Sequence, residues 1–95
     1  MDDLKKALAR HLMALSYVEG EVTLTSGKKS DYYFDCKQTA LHPEGGYLIG
    51  KLFLDMLKNT PAKGVGGMTL GADPIVAAVS VLSHLEGRPL PGFIV

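Results

Sequence analysis

Residues 64–74 form a glycine-rich stretch whose residue types suit the binding of an anion through backbone amides. Four glycines precede the pair Asp73-Pro74, and these two residue types are favoured where a helix starts. Glycines between a strand and a helix let backbone N–H groups approach a ligand, and the helix dipole favours an anion, usually phosphate. The stretch is therefore a candidate phosphate-binding loop, with Asp73 predicted as the helix N-cap.

Two common phosphate-binding motifs do not match this stretch. A dinucleotide fingerprint requires a third glycine at the position that Thr69 occupies. A Walker A loop from Gly66 to Gly71 has the right spacing, but Ala72 and Asp73 stand where lysine and a hydroxyl residue are required. Two interpretations stay open: a phosphate site of another design, and a short structural turn of the kind that joins strands to helices in many α/β folds.

A second candidate site lies in residues 21–37, which have the pattern of an antiparallel hairpin. Residues 21–25 alternate polar and apolar, residues 26–31 have turn composition, and residues 32–37 form a strand rich in aromatics. Lys28 and Lys29 lie at the tip beside hydroxyl residues, and three aromatics follow at once. This arrangement suits an anionic planar ring. The alternative is a solvated turn whose lysines protect an edge strand.

The remaining elements are predicted from hydrophobic spacing. Apolar residues at helical spacing follow Asp2 and Asp3, so an N-terminal helix is expected, with Gly20 as a residue that ends it. Pro43 opens a second amphipathic helix. Residues 64–68, 74–86 and 93–95 then predict a strand, a helix that is apolar almost all round, and a further strand. This last unit is a βαβ crossover, which implies a parallel strand pair.

Composition excludes several functional classes. The 95 residues include ten basic and ten acidic side chains, and zero net charge argues against nucleic-acid binding through bulk charge. No apolar run is long enough for a membrane span, so no membrane partner is expected. Cys36 is the only cysteine, and the histidines lack ligand spacing, so neither a disulfide nor a metal site is predicted. A cytoplasmic location is the default expectation.

Two motifs together resemble a known family. Residues 24–35 resemble the N-terminal hairpin signature of orotate phosphoribosyltransferases, and residues 66–75 resemble that family's first diphosphate-binding loop. The likeness covers nearly all of the chain and implies the N-terminal part of a type I phosphoribosyltransferase. The implied class is α/β. An N-terminal helix and antiparallel hairpin, or hood (residues 1–42), precede the first part of a parallel-sheet, Rossmann-like core (residues 43–95), and together they form one truncated, partial domain.

The resemblance implies transfer of ribose 5-phosphate from phosphoribosyl diphosphate to orotate, which gives orotidine 5′-phosphate and diphosphate in pyrimidine biosynthesis. It also implies Mg²⁺ bound with the diphosphate, and a homodimer. Such chemistry requires preorganised donors and a metal to stabilise the leaving diphosphate. One alternative is a non-catalytic regulator that senses a nucleotide or diphosphate on the same fold. Another is a generic α/β interaction domain.

The resemblance also assigns residues to sites. The expected substrate-binding residues are Thr25, Lys29, Tyr33 and Phe34, and the expected diphosphate loop is Thr69, Leu70, Gly71 and Ala72. Some relatives carry lysine at the positions of Thr25 and Gly71, so charge neutralisation here would rest on backbone N–H groups, Mg²⁺ and other residues. A cis peptide between Thr69 and Leu70 is expected. Adjacent strand residues point to opposite faces, so one ring of Tyr33 and Phe34 should pack into the domain.

The resemblance implies that the catalytic residues lie beyond Val95. The family's mobile basic loop and its longer, acidic phosphate-binding motif do not occur in this sequence, so no catalytic residue and no metal ligand is expected in the chain. We expect the 95 residues alone neither to catalyse the transfer nor to form a stable monomer. A core of two parallel strands leaves apolar edges uncovered, and chains of this size are marginal in core burial.

Overall fold

The computed structural model describes residues 2–95 and has the predicted α/β architecture. In chain order its elements are α1 (Asp2–His11), a π-helical segment (Leu12–Ser16), β1 (Tyr17–Thr23), β2 (Lys29–Phe34), α2 (Lys37–Ala40), α3 (Pro43–Leu57), β3 (Val65–Gly67), α4 (Asp73–Leu85) and β4 (Gly92–Ile94). The N-terminal helix, the antiparallel hairpin β1–β2 and the parallel pair β3–β4 are as predicted. Within residues 2–95, no helix combines the length and the apolar character that crossing a membrane requires.

The hairpin begins earlier than its sequence pattern indicates. Tyr17 pairs with Phe34 at its base, and the register shifts between Glu19 and Val22. Gly20 lies inside this irregular segment with φ 127°, a conformation that L side chains rarely adopt. The prediction that Gly20 ends the N-terminal helix is therefore wrong. The chain is already extended at this point, and Gly20 lies where the strand register shifts.

The end of the hairpin also differs from the prediction. Residues 35–37, predicted as the end of a strand, lead instead into α2. The side-chain oxygens of Ser16 and Thr39 are 2.6 Å apart, and both residues are fully buried. The Thr39 hydroxyl also donates to the backbone carbonyl of His11 at 3.4 Å. Thr39 therefore accepts from Ser16, and this short chain of hydroxyls joins the base of the hairpin to α2.

The apolar core lies between α3, α4 and the parallel strands. Leu54, Val79 and Leu90 are buried at its centre, and four partly buried residues pack around them: Leu57, Val65, Ile75 and Leu82. Helices α3 and α4 approach closely at Gly50, where a Cβ would collide with Leu82. The absence of a side chain at Gly50 thus permits the helix contact on which the core depends.

Two polar side chains fix the loops on either side of this core. Ser83, which is fully buried, donates to the carbonyl of Ser80 at 2.6 Å and accepts from the N–H of Leu90 at 2.8 Å. Arg88 donates to three backbone carbonyls at and after the end of α3, those of Leu57, Thr60 and Ala62, at 2.7–2.8 Å. These bonds hold the segment before β4 against the segment before β3, which brings the two strands into parallel register.

Helix α4 is less buried than its sequence suggests. Val76, Val79 and Ser83 are buried, but Val81 and Leu85 are 64% and 74% exposed. A helix that is apolar almost all round is expected to be buried, and this expectation is wrong for the described residues. The reason is that β3 and β4 form a two-stranded sheet, which offers an apolar partner to one face of the helix only.

Candidate functional site

The loop between β3 and α4 leaves two adjacent backbone N–H groups free. The N–H groups of Ala72 and Asp73 donate within the loop, to the carbonyls of Met68 at 3.1 Å and Leu70 at 3.2 Å. The N–H groups of Leu70 and Gly71 have no hydrogen-bond partner in residues 2–95, and both residues are exposed. Consecutive free amides beside a helix N-terminus are suited to an anion.

The start of α4 differs from the prediction in the role of Asp73. The helix begins at Asp73 itself, and Ala72 precedes it without a side-chain cap. The Asp73 carboxylate instead accepts a hydrogen bond from the Thr69 hydroxyl, with Oγ1 and Oδ2 2.7 Å apart. The N-cap prediction is therefore wrong, whereas Pro74 lies in the first turn as expected. A carboxylate in the first turn still interacts favourably with the helix dipole.

The rest of the loop agrees with the sequence resemblance. The peptide bond between Thr69 and Leu70 is cis, as expected. A Cβ built at Gly71 would meet no atom within 4 Å, and Gly71 does not have a positive φ. Nothing in the loop therefore requires glycine at this position, and a lysine side chain has room here.

The hairpin tip forms a surface cavity of about 400 Å³. Two of the predicted substrate-binding residues, Thr25 and Tyr33, line it together with Val22, Thr23 and Leu24. Tyr33 is 43% exposed. The cavity combines an aromatic ring with threonine hydroxyls, a surface on which a small planar molecule can stack and form hydrogen bonds.

Phe34 belongs to a different face of the hairpin. Its ring lies 5.4 Å from that of Tyr17 and 6.1 Å from that of Tyr32. Neighbouring residues thus point to opposite faces, as expected. The further prediction that one ring packs into the domain is wrong for residues 2–95. Phe34 is 37% exposed and packs on other aromatics of the hairpin, because the cross-strand partner of Phe34 is Tyr17.

Lys29 does not line the cavity. Its ammonium lies 3.1 Å from the carboxylate of Glu21, and both side chains are largely exposed. An exposed pair of this kind is weak, so Lys29 remains able to interact with an anion. Sequence reasoning missed Glu21 as its partner, although the alternation of strand residues places Glu21 near the tip.

The structure does not join the hairpin cavity to the β3–α4 loop. Within residues 2–95, no hydrogen bond or ion pair connects the two regions. The same residues contain no group of three or more histidine, cysteine, aspartate or glutamate side chains placed to bind a metal ion.

A polar cluster that sequence reasoning did not identify joins α1 to α3. His11 Nε2 lies 2.9 Å from Glu44 Oε1, and the rings of His11 and His42 are 5.1 Å apart. The hydrogen bond from His11, together with its charge, lowers the pKa of Glu44. His42 Nδ1 accepts from the N–H groups of Glu44 and Gly45 at 3.2 Å and so caps α3. The contacts of this cluster link α1 to α3 and cap α3, and the cluster lies outside both candidate sites.

Comparisons with known proteins agree with the resemblance in the sequence. The chain is 47% identical over 92 residues to the orotate phosphoribosyltransferase of Nostoc sp., covering 97% of this chain and 44% of that protein. The crystal structure of the Mycobacterium tuberculosis orotate phosphoribosyltransferase superposes with a TM-score of 0.84 at 40% identity, covering 97% of this chain and 53% of that one. A structure of the same mycobacterial enzyme in complex with 5-phospho-α-D-ribosyl 1-diphosphate gives a TM-score of 0.77 at 37% identity.

These matches concern one part of the relatives. The chain spans about half the length of the curated relatives that it matches, and the matched part is their N-terminal part. No protein-family model matches the sequence. The resemblance to the N-terminal part of orotate phosphoribosyltransferases, predicted from the two sequence motifs, is thus confirmed, and so is the phosphoribosyltransferase fold class.

Proposed function

We propose that the chain is the N-terminal half of an orotate phosphoribosyltransferase, which transfers ribose 5-phosphate from phosphoribosyl diphosphate to orotate. The observation that carries the proposal is the β3–α4 loop, where the N–H groups of Leu70 and Gly71 are free within a chain that matches the N-terminal part of enzymes with this name. The mycobacterial relative is described in complex with phosphoribosyl diphosphate. That complex supports the assignment of a diphosphate ligand.

In this proposal the loop binds the diphosphate through its backbone. The residues Thr69, Leu70, Gly71 and Ala72 surround the anion, and the amides of Leu70 and Gly71 donate to its oxygens. Fixed donors stabilise the charge that develops on a leaving diphosphate without reorganisation at the moment of reaction. Mg²⁺ would accompany the diphosphate, because phosphate oxygens are the hard ligands that this ion prefers. Bound there, the metal would neutralise further charge on the leaving group.

The hairpin binds orotate in this proposal. Tyr33 offers a ring face at the cavity, Thr25 offers a hydroxyl and a backbone amide, and Lys29 offers a positive charge to the carboxylate of orotate. Phe34 supports the hairpin from its other face through Tyr17 and Tyr32. The part of the enzyme beyond Val95 supplies the catalytic residues and brings the two sites to one reaction centre. A homodimer and a cytoplasmic location complete the proposal.

Formation of orotidine 5′-phosphate by the complete protein tests the proposal. We expect turnover that depends on orotate, phosphoribosyl diphosphate and Mg²⁺. Residues 1–95 alone should give none, because they lack the expected catalytic residues. Binding of phosphoribosyl diphosphate by the complete protein without turnover would instead establish a non-catalytic sensor. The absence of binding to either substrate would overturn both and leave an interaction domain.

A further inference from the structure

Asp73 contacts the β3–α4 loop at two points. Its carboxylate Oδ2 accepts from the Thr69 hydroxyl at 2.7 Å, and its backbone N–H donates to the Leu70 carbonyl at 3.2 Å. These two bonds enclose the segment from Thr69 to Asp73. The other carboxylate oxygen, Oδ1, is buried and has no hydrogen-bond partner in residues 2–95. Within this part of the chain, the Thr69 hydroxyl is therefore the one side-chain donor to the carboxylate.

We propose that Asp73 is a positioning residue of the diphosphate loop, which it holds through Thr69 so that the amides of Leu70 and Gly71 stay available to the anion. This inference rests on the proposed function of the loop. It goes beyond the residues that the resemblance assigns to ligand binding, because Asp73 acts through another residue and does not touch the diphosphate.

Charge decides how Asp73 can act. A carboxylate repels a diphosphate, so Asp73 is unsuited to binding the anion directly. As an acceptor for the Thr69 hydroxyl it is well suited, since hydrogen bonds to an ionised group are stronger than neutral ones. The hydroxyl proton of Thr69 is then donated to Asp73, so only the lone pairs of the hydroxyl oxygen are available to a ligand. The donors left to the anion are the two backbone amides.

The positions of Asp73 and Thr69 depend on each other. Because Oδ1 is buried without a partner, loss of the Thr69 hydroxyl would leave the carboxylate with no side-chain donor within residues 2–95, and an unpartnered buried charge is costly. The loop would then rearrange to hydrate the carboxylate. We therefore expect removal of either side chain to disturb the same structure, and removal of both to add little.

Steady-state kinetics of the complete protein test this positioning role. Asp73→Ala and Thr69→Val should each raise KM for phosphoribosyl diphosphate about tenfold, the usual effect of losing a hydrogen bond to a charged group. KM for orotate should change far less. Asp73→Asn and Thr69→Ser, which keep the acceptor or the hydroxyl, should recover most of the affinity. The double variant Asp73→Ala/Thr69→Val should be no weaker than the weaker single variant.

Asp55→Ala is the matched control, because Asp55 lies on α3, outside the loop, and accepts a hydrogen bond from Lys58 just after the helix. It should leave both KM values unchanged. An Asp73→Ala enzyme with unchanged KM for phosphoribosyl diphosphate would overturn the inference, as would independent, multiplicative effects of the two substitutions. If Asp73→Ala does not fold, Thr69→Val decides the question.

Amide hydrogen exchange measured by NMR provides a readout that does not depend on activity. The amides of Ala72 and Asp73, which donate within the loop, should exchange about tenfold faster in Asp73→Ala and Thr69→Val, whereas Val79 in the core of α4 should not change. If the wild-type protein binds no phosphoribosyl diphosphate while the two variants show this faster exchange, the proposed function is refuted and Asp73 still positions the loop. Unchanged exchange at Ala72 and Asp73 would refute the positioning role.

Discussion

Residues 2–42 and residues 43–95 hold their shapes by different interactions. Within the described chain, Ala40 is the one buried apolar residue of the first part, whose fully buried side chains are the hydroxyls of Ser16 and Thr39. The second part contains six buried apolar residues: Leu48, Ile49, Leu54, Val76, Val79 and Leu90. The first part therefore depends on hydrogen bonds and strand pairing, and the second on burial of apolar surface.

The difference matches what each part offers to a ligand. The hairpin presents side chains, and Tyr32, Tyr33 and Phe34 are 53%, 43% and 37% exposed. The second part presents backbone amides on a loop between β3 and α4, directly beside the core. Amides are positioned by the elements that carry them, so they require a rigid support. Side chains on a two-stranded ribbon can adjust, since such ribbons are marginally stable on their own.

Core truncation should produce the largest difference between the two parts. Leu90 is 2% exposed and packs in the core, whereas Leu41 is 70% exposed. We expect Leu90→Ala to lower the free energy of unfolding by about 3 kcal/mol, through lost burial and a residual cavity. Leu41→Ala should change it by less than about 0.5 kcal/mol. Urea denaturation of the complete protein measures both, and equal losses would contradict the distinction between the two parts.

In the first part, loss of the hydrogen bond between Ser16 and Thr39 should be the corresponding destabilising change. Ser16→Ala leaves Thr39 buried without its donor, and we expect a loss of about 2 kcal/mol in unfolding free energy. Ser16→Ala combined with Thr39→Val removes both polar groups, so the double variant should lose less than the sum of the single variants.

Ser26, which is exposed at the hairpin turn, provides the control for the hydroxyl pair. Ser26→Ala should be neutral to within about 0.5 kcal/mol. Strict additivity of the Ser16 and Thr39 substitutions would show that the two hydroxyls do not interact, and that the base of the hairpin is held in another way.

A lysine placed in each candidate site separates their roles. Gly71→Lys adds a cation where a side chain meets no atom within 4 Å, so we expect KM for phosphoribosyl diphosphate to fall about fivefold at low salt, the value of one exposed charge pair. Thr25→Lys should alter KM for orotate instead. Steady-state kinetics at two salt concentrations measure both. An effect of Gly71→Lys on KM for orotate alone would contradict the assignment of the loop to the diphosphate.

Local signals in the sequence predict much of the second part. Glycines before Pro74 and an apolar run after it predict the strand, turn and helix, and the structure has β3, the loop and α4 in that order. Pro43 predicts the start of α3 correctly. These signals succeed because proline and glycine restrict or free the backbone of the residue itself, and such effects do not depend on distant contacts.

Features that depend on contacts with other residues were not predictable in the same way. Ser16 and Thr39 are 23 positions apart, and nothing near either residue in the sequence indicates that they meet. The role of Gly20 depends on the pairing register of β1 with β2. Asp73 satisfies the local rule for an N-cap, but the Thr69 hydroxyl, four positions earlier, engages its carboxylate instead. Burial and hydrogen-bond competition, which the sequence does not display, decide these cases.

A hydrogen bond between His11 and Glu44 joins the two parts of the molecule and should make their contact sensitive to pH. Glu44 on α3 accepts from His11 on α1, and this bond, assisted by His42 and Arg10, holds the pKa of Glu44 below its ordinary value of 4.5. The folded state thus binds a proton at Glu44 less readily than the unfolded state does. Its contribution to stability is fully present above pH 4.5 and is lost as the pH falls through the lower, folded-state pKa.

Glu44→Gln should therefore make the stability of the protein less dependent on pH in the acid range. We expect the smallest effect of the four tests, because Glu44 is exposed and solvent screens its interaction with His11. Thermal melts of the wild type and the variant from neutral pH to about pH 3 measure this difference. The two melting temperatures should converge as Glu44 becomes protonated in the wild type. A difference that persists unchanged at low pH would show that Glu44 supports α3 through packing, and that the contact between α1 and α3 does not depend on its charge.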